Sequence, residues 1–290
     1  MEKIATSELI INPDGSIYHL HLRPQDIADT ILLVGDPGRV EMISKHFSSI
    51  DVKIMNREFC THTGYYNGKR ITALSTGIGT DNIDIVLNEL DALVNIDFET
   101  RMLKDTHKSL NLIRLGTSGA LQGYVEVDSF LVSEKAIGFD GLLNFYAQRN
   151  EIAELEFEQT FIDFVNWNKN LPSPYVVSAS NELLAKLKGN NTVGVTISAP
   201  GFYGPQGRIL RLPIIDPDIN DKIEKFEYKN YKITNYEMES SALFGLSKLL
   251  GHHALTICVI IANRVNKSFS KDYKPKVAEL IQYTLDKLTI

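Results

Sequence analysis

Residues 110–119 read LNLIRLGTSG. Leu110, Leu112, Ile113 and Leu115 form an apolar run interrupted by Asn111 and Arg114, and Gly116-Thr117-Ser118-Gly119 follows at once. A short apolar run that gives way to glycines predicts a buried strand ending in a turn. Outward from it the same grammar repeats. TILLVGD (30–36) runs into a DPG turn and then RVEMISKHF, apolar at helical intervals; KRITALSTGIG (69–79) runs into NIDIVLNELDALVNI. NTVGVTIS (191–198), YKITNYEME (231–239) and ALTICVIIANR (254–264) supply three more strands. SSALFGLSKLLGHH (240–253) and YKPKVAELIQYTLDKL (273–288) supply helices between and after them. Strands alternating with helices mean an α/β sheet covered on both faces. In such sheets ligands sit outside the carboxyl ends of the strands, so the strand-end turns are where chemistry is expected.

Composition narrows the function before any motif does. At 290 residues and 43% hydrophobic, the chain can bury a sizeable core. A net charge of −6 and a pI near 5.7 argue against a non-specific nucleic-acid binder or an anionic-membrane binder. Any anion site must be built from a few placed arginines. Cys60 and Cys258 stand far apart, outside any CxxC or Cys/His ligand spacing, which suggests neither a disulfide framework nor a metal centre. MEKIATSELIINPDGS is acidic and lacks an apolar core, so no signal peptide is expected. With no apolar run of membrane-spanning length, the expected location is the cytoplasm.

The strand-end turns hold three arginines. GDPGR carries Arg39, MNREF carries Arg57, and Arg114 precedes GTSG with Thr117 and Ser118. A guanidinium fork matches phosphate oxygens bidentately, and glycine lets backbone N–H groups come close. Taken singly, each arginine reads more readily as half of a surface ion pair; their position at strand ends is what favours an anion site. Neither standard phosphate loop is present: GDPGR is no GxxxxGK[ST], and GIGTDN keeps only two glycines of GxGxxG. A nicotinamide enzyme therefore lacks its fingerprint.

In order along the chain, GDPGR, NREF, STGIG, IRLGTSGALQ, NYEMESSA and IIANR resemble the nucleoside phosphorylase family, on its uridine-cleaving branch. The resemblance spans nearly the whole chain. It implies one domain over 1–290, a three-layer α/β/α sandwich around a mixed, partly barrel-like sheet. It also implies a reaction, the reversible attack of inorganic phosphate on ribose C1′ of uridine to give ribose 1-phosphate and uracil. No organic cofactor is implied; inorganic phosphate is a co-substrate. By motif, Gly35, Arg39, Arg57, Arg114 and Thr117 would bind phosphate. His19 of YHLHLRP would touch the ribose 5′-hydroxyl, with His21 the other histidine of that stretch, and Glu237, Met238 and Glu239 of NYEMES would line and hold the ribose. Phe202, Ser118 and Gly119 would face the base. The alternative for the NYEMES motif is a capping glutamate before the following helix.

Within GFYGPQGRILRLP (201–213), Gln206 and Arg208 are two apart, so in an extended loop they would point the same way. The amide offers an acceptor and two donors, the guanidinium donors only. Such a pair asks for a planar edge reading acceptor, donor, acceptor, as O2, N3–H and O4 of uracil do. In the family this Q-x-R pair specifies pyrimidines. Arg208 would stabilise charge on the leaving uracil while the phosphate dianion faces the oxocarbenium-like ribose, so Arg208, Arg114 and Glu239 are the expected catalytic residues. Purine-cleaving relatives place a Ser-Asp pair after the late strand; Asn263 and Arg264 stand here. Phosphorolysis of another nucleoside, a nucleoside hydrolase, or a non-catalytic nucleoside binder on the same fold are the alternatives.

Two stretches depart from the family pattern. Thr80-Asp81-Asn82 replaces a Gly-Pro-Ser type turn after STGIG, with Asp81 expected to cap the next helix. It bears on the K+ site that some relatives build between subunits from this turn and the glutamate matching Glu58. NIDFETRMLKDTHKSLN (95–111) is long and charged and is expected to add a surface helix. The resemblance further implies a homodimer whose neighbour lends Arg57 and His19 to the site, or a hexamer made of three such dimers.

Overall fold

The computed structural model describes residues 3–289. After an extended N-terminal segment come β1 (Thr30–Val34), α1 (Pro37–Ser44), β2 (Ser49–Asn56), β3 (Phe59–Tyr66), β4 (Lys69–Ser75) and α2 (Thr80–Asn95). A short hairpin, β5 (Ile96–Asp97) and β6 (Met102–Leu103), leads to β7 (Asn111–Ala120) and β8 (Phe130–Gly138). The next run is α3 (Arg149–Ile152), α4 (Leu155–Val165), β9 (Tyr175–Ser178), α5 (Asn181–Leu187) and β10 (Thr192–Ser198). The chain closes with α6 (Ile219–Lys225), β11 (Glu227–Tyr228), β12 (Tyr231–Glu237), α7 (Ser240–Leu249), β13 (His253–Asn263), β14 (Ser268–Phe269) and α8 (Lys274–Thr289). No helix among the described residues is long and apolar enough to cross a membrane.

One mixed sheet organises these elements in the order β11-β12-β10-β8-β13-β7-β1-β4-β3-β2. β12 also pairs with β7, with Asn235 opposite Ala120 and Tyr236 opposite Gly119. That extra pairing closes β12, β10, β8, β13 and β7 into a ring, while β1, β4, β3 and β2 fan out as an open wing. The partly closed barrel follows from it. β1 is buried at every position, as its unbroken apolar sequence requires of a central strand paired in parallel on both sides. α7 packs on β13, β8 and β9, and α2 packs on α7.

Three expectations are corrected here. β7 does not stop at Gly116: it continues to Ala120, with Gly116 opposite Cys258 and Ser118 opposite Ile260 of β13. Gly116 serves packing rather than a turn, because a Cβ there would collide with the Arg114 guanidinium and sit 2.9 Å from Cys258 Sγ. Past Asn95, the last residue of α2, the stretch 95–111 adds no helix. Asp97 Oδ1 accepts N–H bonds from Glu99 (2.9 Å) and Thr100 (2.8 Å), a local turn that outcompetes the helix, and Arg101 takes a left-handed φ of 59°. Arg101 then donates to the carbonyls of Ile4 (2.9 Å) and Ala5 (3.1 Å), so this stretch ties down the N-terminal segment. Asp81 does not cap α2; the N-cap is Gly79 at φ 101°, with no side-chain cap of its own.

Candidate active site

Arg114 sits on β7 with only 6% of its side chain exposed. Its Nη2 donates to the Glu239 carboxylate, and its Nη1 lies 3.4 Å from Glu237 Oε2. Glu237 is fully engaged: Ser198 Oγ donates to it at 2.5 Å, and the backbone N–H groups of Glu239 (2.9 Å) and Ser240 (3.0 Å) do the same. It therefore caps α7 while orienting Arg114, which fits the capping alternative for this motif. Glu239 is the freer acid. Its Oε1 accepts the Gly79 N–H at 2.9 Å, holding the glycine turn against α7. Burial, with help from Glu237, pushes Glu239 well above the ordinary carboxylate range despite the opposing pull of Arg114. The two carboxylates hold Arg114 firmly charged.

Arg39, at the start of α1, completes this end. Pro37 and Asp36 set that helix start, Asp36 accepting the Gly38 N–H at 2.9 Å. Burial and the nearby Arg114 cation depress Arg39, which has no ion-pair partner among the described residues. Arg114 Nε and Ser118 Oγ are buried with no partner either. Unpaired buried donors beside two like-charged guanidinium groups call for an anion with several acceptor oxygens. Gly35 and Thr117 line the same strand ends, both half-buried, as is Met238.

The other end is built on the loop after β10. The expected extended conformation is not found: Gly204–Gln206 form one 3-10 turn, and Gly207 at φ 70° reverses the chain. The result is still a pair. Arg208 Nη1 donates to Gln206 Oε1 and, at 2.6 Å, to the Phe202 carbonyl, with the guanidinium stacked 3.8 Å from the Phe202 ring centroid. Because Arg208 takes Oε1, the orientation of the 3% exposed Gln206 amide is set, and its Nε2 has no hydrogen-bond partner among the described residues. Gly119 and Phe202 border this end. Sequence reading did not assign Arg264 a contact. Its backbone N–H is bonded to Ala120 O at the end of β7, its Nη1 donates to Gln206 O at 2.5 Å, and its guanidinium lies 5.4 Å from the Tyr236 ring centroid. Burial and the charge of Arg264 lower Arg208 to about 10. The signal was its place at the carboxyl end of a strand.

Arg57 and His19 gather elsewhere, on an exposed edge. Arg57 occupies the β2–β3 turn at φ 55°, its guanidinium 5.7 Å from the Tyr18 ring centroid. Asn56 Nδ2 donates to His19 O at 2.8 Å. His19 Nδ1 lies 2.6 Å from Glu89 Oε1. A carboxylate only accepts, so Nδ1 carries the proton and Nε2 of the neutral ring is left as an acceptor. His21 instead faces Asp14 at 3.4 Å. Among the described residues one group could hold a metal by proximity, Asp91, His107 and His252. His252 Nδ1, however, accepts the Leu110 N–H at 3.2 Å, which places the ring proton on Nε2 facing Asp91. A protonated nitrogen has no lone pair for an ion.

The comparisons with known proteins agree with this geometry. The phosphorylase superfamily model matches residues 29–288. A uridine phosphorylase of Thermococcus kodakarensis is 28% identical over 277 residues, covering 93% of this chain and 86% of its own. A DeoD-type purine nucleoside phosphorylase of Listeria welshimeri is 30% identical, covering 83% and 85%. A crystal structure of a Trypanosoma brucei nucleoside phosphorylase, described as showing uridine phosphorylase activity, superposes with a TM-score of 0.87 at 29% identity, over 97% of this chain and 99% of that one. With the family model spanning residues 29–288 of the 290, the chain belongs to the phosphorylase superfamily.

Proposed function

We propose that this protein cleaves nucleosides by phosphorolysis and that its nucleoside is uridine. The observation that carries the reading is the pair of cationic clusters, Arg39 with Arg114 and Arg208 with Arg264, with Glu239 beside the first. Phosphate takes the first cluster, with Thr117, the Gly35 backbone and Arg57 of a neighbouring subunit completing its shell. Glu239 accepts hydrogen bonds from the ribose 2′- and 3′-hydroxyls, Met238 packs on the sugar, and His19 Nε2 of the neighbour accepts from the 5′-hydroxyl. Glu237 orients Arg114.

Gln206 Nε2 donates to O2 of the base, the remaining lone pair of Oε1 accepts N3–H, and the free face of Arg208 donates to O4. Phe202 packs on the base, and Ser118 and Gly119 border it. As the C1′–N1 bond breaks, ribose becomes cationic against the phosphate dianion and the electron pair moves onto uracil, whose oxygens meet fixed donors. Phosphate oxygen then bonds to C1′. Cytidine presents a donor where Arg208 can only donate, so it is rejected. Asn263 and Arg264 leave no acid for a purine N7. No organic cofactor has a role; phosphate is consumed as co-substrate, and the working unit is a homodimer in the cytoplasm.

The test is uracil release from uridine with and without inorganic phosphate, with inosine in parallel. Phosphate-dependent release with inosine inert is expected. Equal release without phosphate would make the protein a hydrolase, and inosine cleavage would overturn the roles given to Gln206 and Arg208.

A further inference from the structure

Glu89 sits on α2 with 12% of its side chain exposed, and no lysine or arginine among the described residues pairs with it. A largely buried carboxylate without a cation must be satisfied by hydrogen bonds. All of them come from one turn. Residues 17–22 reverse the chain, Ile17 N–H donating to Leu22 O at 2.8 Å and His21 N–H to Ile17 O at 3.0 Å. The N–H groups of His19 and Leu20 go instead to Glu89, at 3.0 and 2.8 Å. Its third donor is His19 Nδ1 at 2.6 Å. One carboxylate therefore grips the backbone and the ring of the same residue, while Asn56 Nδ2, next to Arg57, holds the His19 carbonyl at 2.8 Å.

Such a grip fixes the ring's orientation and its tautomer together, because the partner of one ring nitrogen decides where the proton sits. The nitrogen left over, on a side chain 27% exposed, is Nε2 with its lone pair. Gly79, at the start of the same helix, donates to Glu239 at 2.9 Å, so α2 carries both the hold on His19 and a contact to the acid assigned to the ribose. We infer that Glu89 is a positioning residue that makes His19 an acceptor, and that the site thereby selects a hydrogen-bond donor at the ribose 5′ position. This rests on the reading of His19 as the contact to the 5′-hydroxyl. A hydroxyl meets either tautomer, since it donates and accepts, whereas an ammonium only donates and needs the lone pair. The side chain introduced by Glu89→Gln has a single acceptor oxygen. With that oxygen kept by the two backbone N–H groups, its amide N–H faces Nδ1, which must then accept, and the ring proton moves to Nε2.

The experiment compares uridine, 5′-deoxyuridine and 5′-amino-5′-deoxyuridine as substrates with phosphate, for the parent, Glu89→Gln and His19→Ala. Glu89→Gln should lower kcat/KM for the amino nucleoside by about tenfold or more, the scale of one charge-assisted hydrogen bond, with little change for uridine and none for 5′-deoxyuridine. Nitrogen NMR of the unliganded, isotope-labelled protein should find His19 protonated on Nδ1 in the parent and on Nε2 in Glu89→Gln, a signature that does not depend on turnover. A proton on Nε2 in the parent, an unchanged tautomer in the variant, or an equal loss on all three nucleosides overturns the inference. His19→Ala separates it from the reading beneath it. If that variant loses uridine and 5′-deoxyuridine equally, His19 does not touch the 5′ position, and the inference falls with that reading. If it loses uridine alone while Glu89→Gln spares the amino nucleoside, only the role of Glu89 is overturned.

Discussion

Glu239 carries opposing demands: it must be ionised to hold Arg114 and ribose hydroxyls, yet burial favours its neutral form. Its folded pKa is raised from 4.5 to about 7. The folded protein thus binds more protons than the unfolded chain between those values, so this group's contribution to stability is complete below about 4.5 and lost as pH rises through about 7. Urea midpoints measured across that window should fall with rising pH in the parent protein and lose that slope in Glu239→Gln. For uridine cleavage, kcat/KM should rise with pH through the same region, and that limb should vanish in the variant. At the other end, Arg208 stays protonated at neutral pH even when lowered to about 10. Its removal costs a preorganised donor in a partly dry site, worth about 3 kcal/mol of barrier. Arg208→Ala is expected to lower kcat for uridine by about a hundredfold with a much smaller change in phosphate KM; an equal loss in both would move Arg208 from the base to the phosphate.

Two elements hold those residues, and each can be disturbed without touching a ligand contact. On β7, Gly116 leaves room for the Arg114 guanidinium, so Gly116→Ala should displace it and cut kcat by about a hundredfold or more while circular dichroism stays unchanged. At the end of β12, where it caps α7, Glu237 stops four donors from being buried unpaired: Ser198 Oγ, two backbone N–H groups and part of Arg114. Glu237→Ala should therefore lower stability by roughly 2 kcal/mol or more, and Glu237→Gln should recover part of it by keeping an acceptor.

The strands were readable in sequence because TILLV, TVGVTIS and ICVII carry their burial in their own composition. β7 was misjudged at its end because glycine there answers a side chain packed beside it and not a turn, a tertiary reason invisible locally. The helix expected over 95–111 lost to a single aspartate turn, and α2 draws its terminal contact from Glu239, 160 residues away. Of the site, the arginines and NYEMES were legible through type and order. The extended geometry assumed for Gln206 and Arg208 was wrong, yet the 3-10 turn delivers the same pairing, since Gly207 brings the two heads back together.

At the scale of the whole molecule, the proposed dimer can be argued from the open wing. The ring of strands and the loops at its ends hold Arg114, Glu239, Gln206 and Arg208, while the tip of the β2–β3 hairpin presents Arg57 outward, against Tyr18 and next to His19. Arg39 and Arg114 already crowd each other at the phosphate end, whereas Arg57 faces the surface. A two-fold assembly that docks this edge against the partner's site would supply the missing donors reciprocally, because an isologous interface exchanges the same residues in both directions. The consequence can be measured by mixing. Arg57→Ala and Arg114→Ala, each inactive alone, are unfolded together and refolded as a one-to-one mixture. If Arg57 serves the neighbour, half of the dimers are mixed and each contains one intact site, so about a quarter of the parent activity should return. If Arg57 serves its own subunit, every site in every dimer carries a lesion and no activity returns. His19→Ala in place of Arg57→Ala should behave the same way, with recovery seen in the KM for nucleoside, since the two residues ride on one edge and must cross the interface together.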